Sequence, residues 1–149
     1  MDLQELYQQF LECTSVSIDS RNVQKNDMFF ALKGENFNGN RFAGDAIHKG
    51  ARYAVVDDKQ YADNPRCILV EDTLETFQQL ANWHRLQLDT RVLAITRNNA
   101  KTTTKEIVYR VLSEKYSSLA TQKNLNNHIG VPLTLLQLTA DHQFAVVEM

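Results

Sequence analysis

The 149-residue sequence predicts an α/β protein in two parts, a small mixed α/β unit followed by the opening of a parallel sheet. Three observations carry this. Short apolar runs that read as strands alternate with amphipathic helical segments. From residue 91 onward the order is strand, helix, strand, helix, strand, which favours parallel pairing through right-handed crossovers. The pattern changes near residues 88–90, so the parts are taken as 1–88 and 89–149.

Each element has its own local reason. Leu3, Leu6, Tyr7, Phe10 and Leu11 recur at the three- and four-residue spacing of a helix with one buried face. Residues 16–18 alternate as a short strand, and residues 28–32 form a compact apolar run read as a buried strand. Residues 34–44, with Gly34, Gly39, Gly44, Asn36, Asn38 and Asn40, read as a loop anchored by Phe37 and Phe42. Residues 43–49 fit a short helix closed by Gly50. Residues 53–56 and 67–70 are strands. Asp72 suits the N-cap of a helix carrying Leu74, Phe77, Leu80, Ala81 and His84 on one side, with Glu75 at the partner position of a capping box.

In the second part, residues 91–96 are an apolar strand. A helix over 101–115 would turn Ile107, Val108, Val111 and Leu112 inward. Residues 117–120 form a short strand. Pro132 suits the first turn of a helix reaching 138, and residues 144–148 form the last strand. Trp83 and the phenylalanines are expected in the core. His48 and His84 read as packing or surface residues, and His128 as solvent-facing.

Composition narrows the function. The chain is 43% hydrophobic and 23% charged, with a net charge of −2. That balance argues against a broad nucleic-acid footprint. No apolar run approaches the roughly 20 residues of a membrane span, and the polar, acidic start is not a secretory signal. Cys13 and Cys67 are far apart and form no metal-type pair, so a reducing cytoplasm is expected.

Three motifs carry chemistry. Thr96-Arg97-Asn98-Asn99-Ala100-Lys101-Thr102-Thr103-Thr104-Lys105 lies between a strand and a helix, the setting of a phosphate-binding loop. There a lysine reaches the outer phosphates and the following hydroxyl can ligate Mg²⁺; Lys101-Thr102 matches that pair. The loop taken alone reads equally as a polar helix start with hydroxyl caps. Residues 121–132 crowd Asn124, Asn126 and Asn127 at the carboxyl end of a strand, where parallel α/β sheets bind ligands. An asparagine-rich turn is the plainer alternative. Glu148, at the tip of a buried strand, suits a Mg²⁺ ligand.

Taken together these motifs resemble the Mur ligase family, and most of all its MurF type. The resemblance rests on Lys101-Thr102-Thr103-Thr104-Lys105-Glu106, Asn124-Leu125-Asn126-Asn127, Ile129-Gly130-Val131-Pro132 and Val146-Val147-Glu148-Met149. In the first half it rests on Ile18-Asp19-Ser20-Arg21, Asp27-Met28-Phe29-Phe30-Ala31-Leu32-Lys33-Gly34 and Asn38-Gly39-Asn40-Arg41-Phe42. It implies an N-terminal UDP-muramoyl-peptide-binding domain and the start of a P-loop ATPase domain. The implied activity is ATP-dependent formation of an acyl phosphate on a UDP-N-acetylmuramoyl-tripeptide, then attack by D-alanyl-D-alanine. Lys101 would contact ATP, with Thr103, Asn126 and Asn127 lining the nucleotide region. Thr102 and Glu148 would hold Mg²⁺, and Lys101 and Glu148 would serve the chemistry. Ser20, Arg21, Asn36, Phe37, Asn38 and Gly39 would line the uridine-diphosphate pocket.

The sequence departs from the family loop at two positions. Arg97 and Ala100 stand where the family has glycines that let backbone amides face phosphate. The expectation is weakened ATP binding, and a chain that holds only the N-terminal portion of the enzyme and is inactive alone. Two alternatives are kept: a non-catalytic module binding a UDP-sugar peptide, and a MurE-type ligase fragment.

Overall fold

The computed structural model describes residues 2–96, 101–122 and 125–149, with Lys101 described by its backbone alone. It forms two compact units, Met1–Leu80 and Ala81–Met149.

In the first unit, β1 (Val16–Ser17), β2 (Met28–Phe30), β5 (Tyr53–Val56) and β6 (Cys67–Leu69) form one parallel sheet in that order. Side chains alternate across such a sheet. On β2, Phe29 enters a cluster with Ala43, Ala46 and Ile47 of helix α2 (Ala43–His48), and on β5 Ala54 and Val56 join it. Phe30 points the other way and meets Phe77 of helix α3 (Thr73–Leu86), with ring centroids 5.1 Å apart. Helix α1 (Leu3–Leu11) buries Leu6, Tyr7 and Phe10 of the five residues its spacing marks, but Leu11 at its end is 55% exposed.

Caps fall where the sequence places them. The Glu75 amide donates to Asp72 Oδ1 at 2.7 Å, opening α3. Gly50 follows α2 at φ 112°, a left-handed value that glycine tolerates at no steric cost. The segment read as loop is more ordered than expected. It contains an antiparallel hairpin, β3 (Lys33–Gly34) with β4 (Phe37–Asn38), then a 3₁₀ turn over Gly39–Phe42. Two-residue strands have too little length to show a period, which hid the hairpin.

The second unit is a parallel sheet in the order β7 (Arg91–Ile95), β9 (Phe144–Glu148), β8 (Ser118–Ala120). Helix α4 (Lys101–Ser113) joins β7 to β8 and packs on both β8 and β9, and α5 (Gly130–Leu135) precedes β9. Ala145, Val147 and Leu138 are buried, flanked by Val92, Leu119, Val131 and Leu135.

Three expectations need correction. Ile107 and Val111 do not turn inward: they are 58% and 67% exposed, and Lys105 is the buried residue of that helix. Lys105 Nζ finds the Thr121 carbonyl at 2.6 Å, and that bond turns the lysine, rather than the aliphatic pair, toward the sheet. Phe37 is not core but 54% exposed. Trp83 is only half-buried.

Candidate functional site

Two groups of residues, one in each unit, carry site chemistry. In the first unit a cavity of about 490 Å³ is lined by Ile18, Asp19, Ser20, Arg21, Phe29, Phe37 and Phe42. Phe37 stacks on Phe42 with the rings nearly parallel, 5.4 Å apart and 11° between planes. An exposed aromatic platform beside charged and hydroxyl groups is the chemistry that takes a flat base with a polar tail. Three of the predicted residues, Ser20, Arg21 and Phe37, meet here.

Asn36 lies in the exposed hairpin turn. Asn38 is turned to structure: its Oδ1 accepts from the Asn40 amide and Asn40 Nδ2 at 3.0 and 2.9 Å. Gly39 is required by close approach, since a Cβ there would stand 2.3 Å from the Leu32 carbonyl oxygen.

Charge in the cavity is already paired. The Arg21 guanidinium donates to both oxygens of Asp19, from Nε to Oδ1 at 3.0 Å and from Nη2 to Oδ2 at 2.8 Å. That pairing holds the Asp19 carboxyl down at about 2. Lys49 Nζ donates to the Ser20 carbonyl at 2.8 Å, fixing the backbone at the cavity wall.

In the second unit the parallel register sets Ile95 opposite Glu148, so β7 and β9 end side by side. Glu148 is 3% exposed. Its Oε1 accepts from Asn126 Nδ2 at 3.0 Å, and the Thr102 hydroxyl stands 3.3 and 3.4 Å from its two oxygens. The Glu148 amide donates to Thr121 Oγ1 at 3.0 Å, and this holds the strand end. Residues separated by up to 46 positions in sequence thus converge on one carboxylate.

The other predicted residues fall differently. Thr103 is exposed on α4. Asn127 does not meet Glu148 but caps α5: its Oδ1 accepts from the Ile129 and Gly130 amides at 3.1 and 2.7 Å. Arg97, Ala100, Asn124 and the side chain of Lys101 lie outside the described residues.

The donor set fits Mg²⁺. That ion prefers oxygen ligands and is commonly held by one or two carboxylates together with phosphate and water. Glu148 is a buried carboxylate next to a hydroxyl, and among the described residues it forms no ion pair. A buried carboxylate whose partners, among the described residues, are neutral donors favours a cation.

Sequence reasoning missed one group of residues. Asp57, just past β5, has a side chain only 5% exposed and pairs with Lys33 Nζ at 2.8 Å. Burial works to raise its pKa, but Lys33, Asn40 and the Thr73 amide outweigh that and hold it below the ordinary carboxylate value. The rule that marked Glu148, an acid at the end of a buried strand, would have marked Asp57 too. Cys13 and Cys67 are free thiols, and burial pushes Cys13 up to about 12, so it is unreactive at neutral pH. Among the described residues no helix is long and apolar enough to cross a membrane.

A parallel sheet with a hydroxyl-bearing helix start beside a strand-end carboxylate puts the second unit in the class of parallel α/β folds that hold ligands at their strand ends. The family description "Mur ligase family, catalytic domain" matches residues 12–110, and "Mur ligase middle domain" matches residues 95–149. The chain belongs to the Mur ligase family. It is 41% identical over 137 residues to the UDP-N-acetylmuramoyl-tripeptide–D-alanyl-D-alanine ligase of Bacillus subtilis, covering 90% of this chain and 30% of that protein. The ligase of the same name from Escherichia coli is 41% identical over 135 residues, covering 91% of this chain and 30% of the relative.

Among solved structures, a MurF crystal structure from Acinetobacter baumannii superposes with TM-score 0.87 at 34% identity, covering 99% of this chain and 35% of that one. MurF ligase from Thermotoga maritima in complex with ADP gives 0.82 at 32% identity, covering 94% and 32%. The chain therefore spans about a third of the length of the relatives it matches.

Proposed function

We propose that the chain supplies the substrate-recognition part and a portion of the nucleotide site of an ATP-dependent ligase that adds D-alanyl-D-alanine to a UDP-N-acetylmuramoyl-tripeptide. Residues 1–88 would take the nucleotide-sugar peptide and residues 89–149 would take part of the ATP site. The observation that carries this reading is the convergence of Thr102 and Asn126 on the buried carboxylate of Glu148. The names of the relatives support the choice of amine and acyl partners.

The reaction needs little covalent chemistry from the protein. The terminal phosphoryl group of ATP passes to the peptide's terminal carboxylate, and ADP leaves. The amine of D-alanyl-D-alanine then attacks the acyl phosphate, forming the amide and releasing phosphate. Such transfers depend on charge neutralisation and alignment. Mg²⁺, held by Glu148 and Thr102, would neutralise phosphate charge. Lys101 would reach the outer phosphates, and the amides opening α4 would face them. Asn126 would keep the Glu148 carboxylate oriented. Phe37 and Phe42 would stack the uracil, with Ser20 and Arg21 toward the diphosphate. Catalysis in the reducing cytoplasm fits the free thiols.

Arg97 and Ala100 weaken the phosphate loop in this reading, because the family has glycine at both positions, where a side chain would obstruct the approach of amides to phosphate and Ala would resist a positive φ by about 1 kcal/mol. Calorimetric titration tests both halves. UDP-N-acetylmuramoyl-tripeptide should bind at one site. Mg-ATP should bind more tightly to the Arg97→Gly, Ala100→Gly variant than to the parent chain. No heat with the UDP-peptide would overturn the reading of the first unit, and equal tight Mg-ATP binding by both chains would overturn that of the loop.

A further inference from the structure

The wall of the first-unit cavity hangs on a weak element. The hairpin β3–β4 has only two residues in each strand, and hairpins of that size are marginal in water. Yet it presents Phe37, the exposed half of the aromatic stack. Its order must come from fastenings outside the ladder.

Those fastenings meet at one carboxylate. Lys33, which opens the hairpin, donates from Nζ to Asp57 Oδ1 at 2.8 Å. Asn38, which closes it, is gripped by Asn40. Asn40 is fully buried and passes the grip on: its Nδ2 donates to Asp57 Oδ1 at 2.8 Å, and its Oδ1 accepts the Asp57 amide at 3.0 Å. The second oxygen of Asp57 accepts from the Thr73 amide at 3.3 Å, in the first turn of α3, and the Thr73 hydroxyl lies 3.2 Å from both this oxygen and the Ala31 carbonyl. Asp57 thus takes both ends of the hairpin and ties them to a helix start, where an anion is favoured.

We propose that Asp57 is a positioning residue for the cavity, acting through Lys33 and Asn40 to keep Phe37 stacked on Phe42. This rests on the reading of the cavity as a nucleotide-sugar site, but its structural content stands apart from the ligand. Lys33 is half-exposed and outside the core, so Lys33→Met loosens the hairpin without unfolding the sheet. Asp57→Asn removes the charge and keeps the size.

Hydrogen exchange at residues 34–37 and calorimetric binding of uridine diphosphate are measured in the parent chain, both variants and Lys33→Arg. Lys33→Met and Asp57→Asn should raise exchange at the hairpin up to about fivefold, the scale of losing one partly exposed ion pair. Exchange in β5 and the Lys33→Met thermal midpoint should not move. Uridine diphosphate should bind about fivefold more weakly to both variants, and Lys33→Arg should restore both readouts. Unchanged hairpin exchange in both variants overturns the positioning role. Loosened hairpins with unchanged uridine diphosphate affinity also overturn it, since the stack would then not depend on Asp57. A parent chain that binds no uridine diphosphate, with hairpins that still loosen, keeps the fastening and sinks the ligand reading instead.

Discussion

Two strands of this molecule are near copies in sequence and differ in what their last residue does. Tyr53-Ala54-Val55-Val56 leads to Asp57, and Phe144-Ala145-Val146-Val147 leads to Glu148. Both strands lie inside a parallel sheet, and Val55 and Val146 are fully buried. Both acids emerge at the carboxyl end, where such sheets bind ligands. Asp57 meets a lysine, a buried asparagine and a helix amide. Glu148 meets a hydroxyl and an asparagine, all neutral donors. One acid is taken up by the fold's own cation, while among the described residues the other has no cation beside it. The partners, not the strand pattern, decide which acid is structural and which is free to serve a ligand.

The sharpest way to break this comparison is to remove each acid. Asp57→Ala takes one acceptor from Asn40, which keeps Asn38, and from the Thr73 amide, and frees the half-exposed Lys33, so it should cost about 1–3 kcal/mol. Glu148→Gln relieves a buried carboxylate that has no cationic partner among the described residues, so thermal stability should hold or rise while Mg²⁺-dependent nucleotide binding is lost. Denaturant titration with and without Mg-ADP reads both. Equal destabilisation by the two would erase the distinction.

A crowded glycine lies near each acid's asparagine partner: Gly39 precedes Asn40, and Gly130 presses on Leu125, the residue before Asn126. A Cβ on Gly39 would meet the Leu32 carbonyl oxygen at 2.3 Å, and one on Gly130 would meet Leu125 backbone carbon at 2.4 Å. Gly39→Ala and Gly130→Ala should each cost about 1–3 kcal/mol. Hydrogen exchange should place the first loss in the β5 network and the second around β9.

Acid should separate the units more gently. His84 is 5% exposed, with Nε2 2.8 Å from the Leu138 carbonyl. Burial draws its pKa below the ordinary 6.5. Below about pH 6.5 the unfolded chain takes up the proton first, so the second unit loses stability as pH falls. Asp19 and Asp57 are held below 3.8, so their contribution to the first unit is present above that value and is lost only beneath it. Between about pH 6 and 4.5 exchange should quicken around β9 and not around β5, and His84→Gln should flatten the response.

The smallest effect is expected at Gly44, in α2, where an added Cβ meets nothing within 4 Å. Gly44→Ala should stabilise by about 0.5–1 kcal/mol through helix propensity. It marks the difference between a glycine that is only permitted and the two that are required.

Much of this was legible in the sequence because the signals were long or punctuated. Apolar runs placed the parallel strands, and Asp72 and Gly50 marked helix ends through their own chemistry. Thr102, Asn126 and Glu148 each stand out because they follow or end a strand of the parallel sheet, at the edge where ligands bind. The rest depended on tertiary choice. The facing of α4 was set by one lysine finding the Thr121 carbonyl, which periodicity cannot anticipate. The hairpin was too short to have a period. Asp57 has the same local signature as Glu148, and only its partners, brought from residues 33, 40 and 73, reveal its role.

The central claim is that the two units carry two different ligand chemistries. Amide chemical-shift mapping by NMR, with two ligands added separately to the same chain, tests it most directly. Uridine diphosphate should shift residues 18–21, 37 and 42 and leave β9 untouched. Mg-ADP, at concentrations high enough to offset Arg97 and Ala100, should shift residues 101–103, 126 and 148 and leave the aromatic cavity untouched. Both ligands shifting the same residues, or uridine diphosphate leaving residues 18–42 unmoved, would contradict the account.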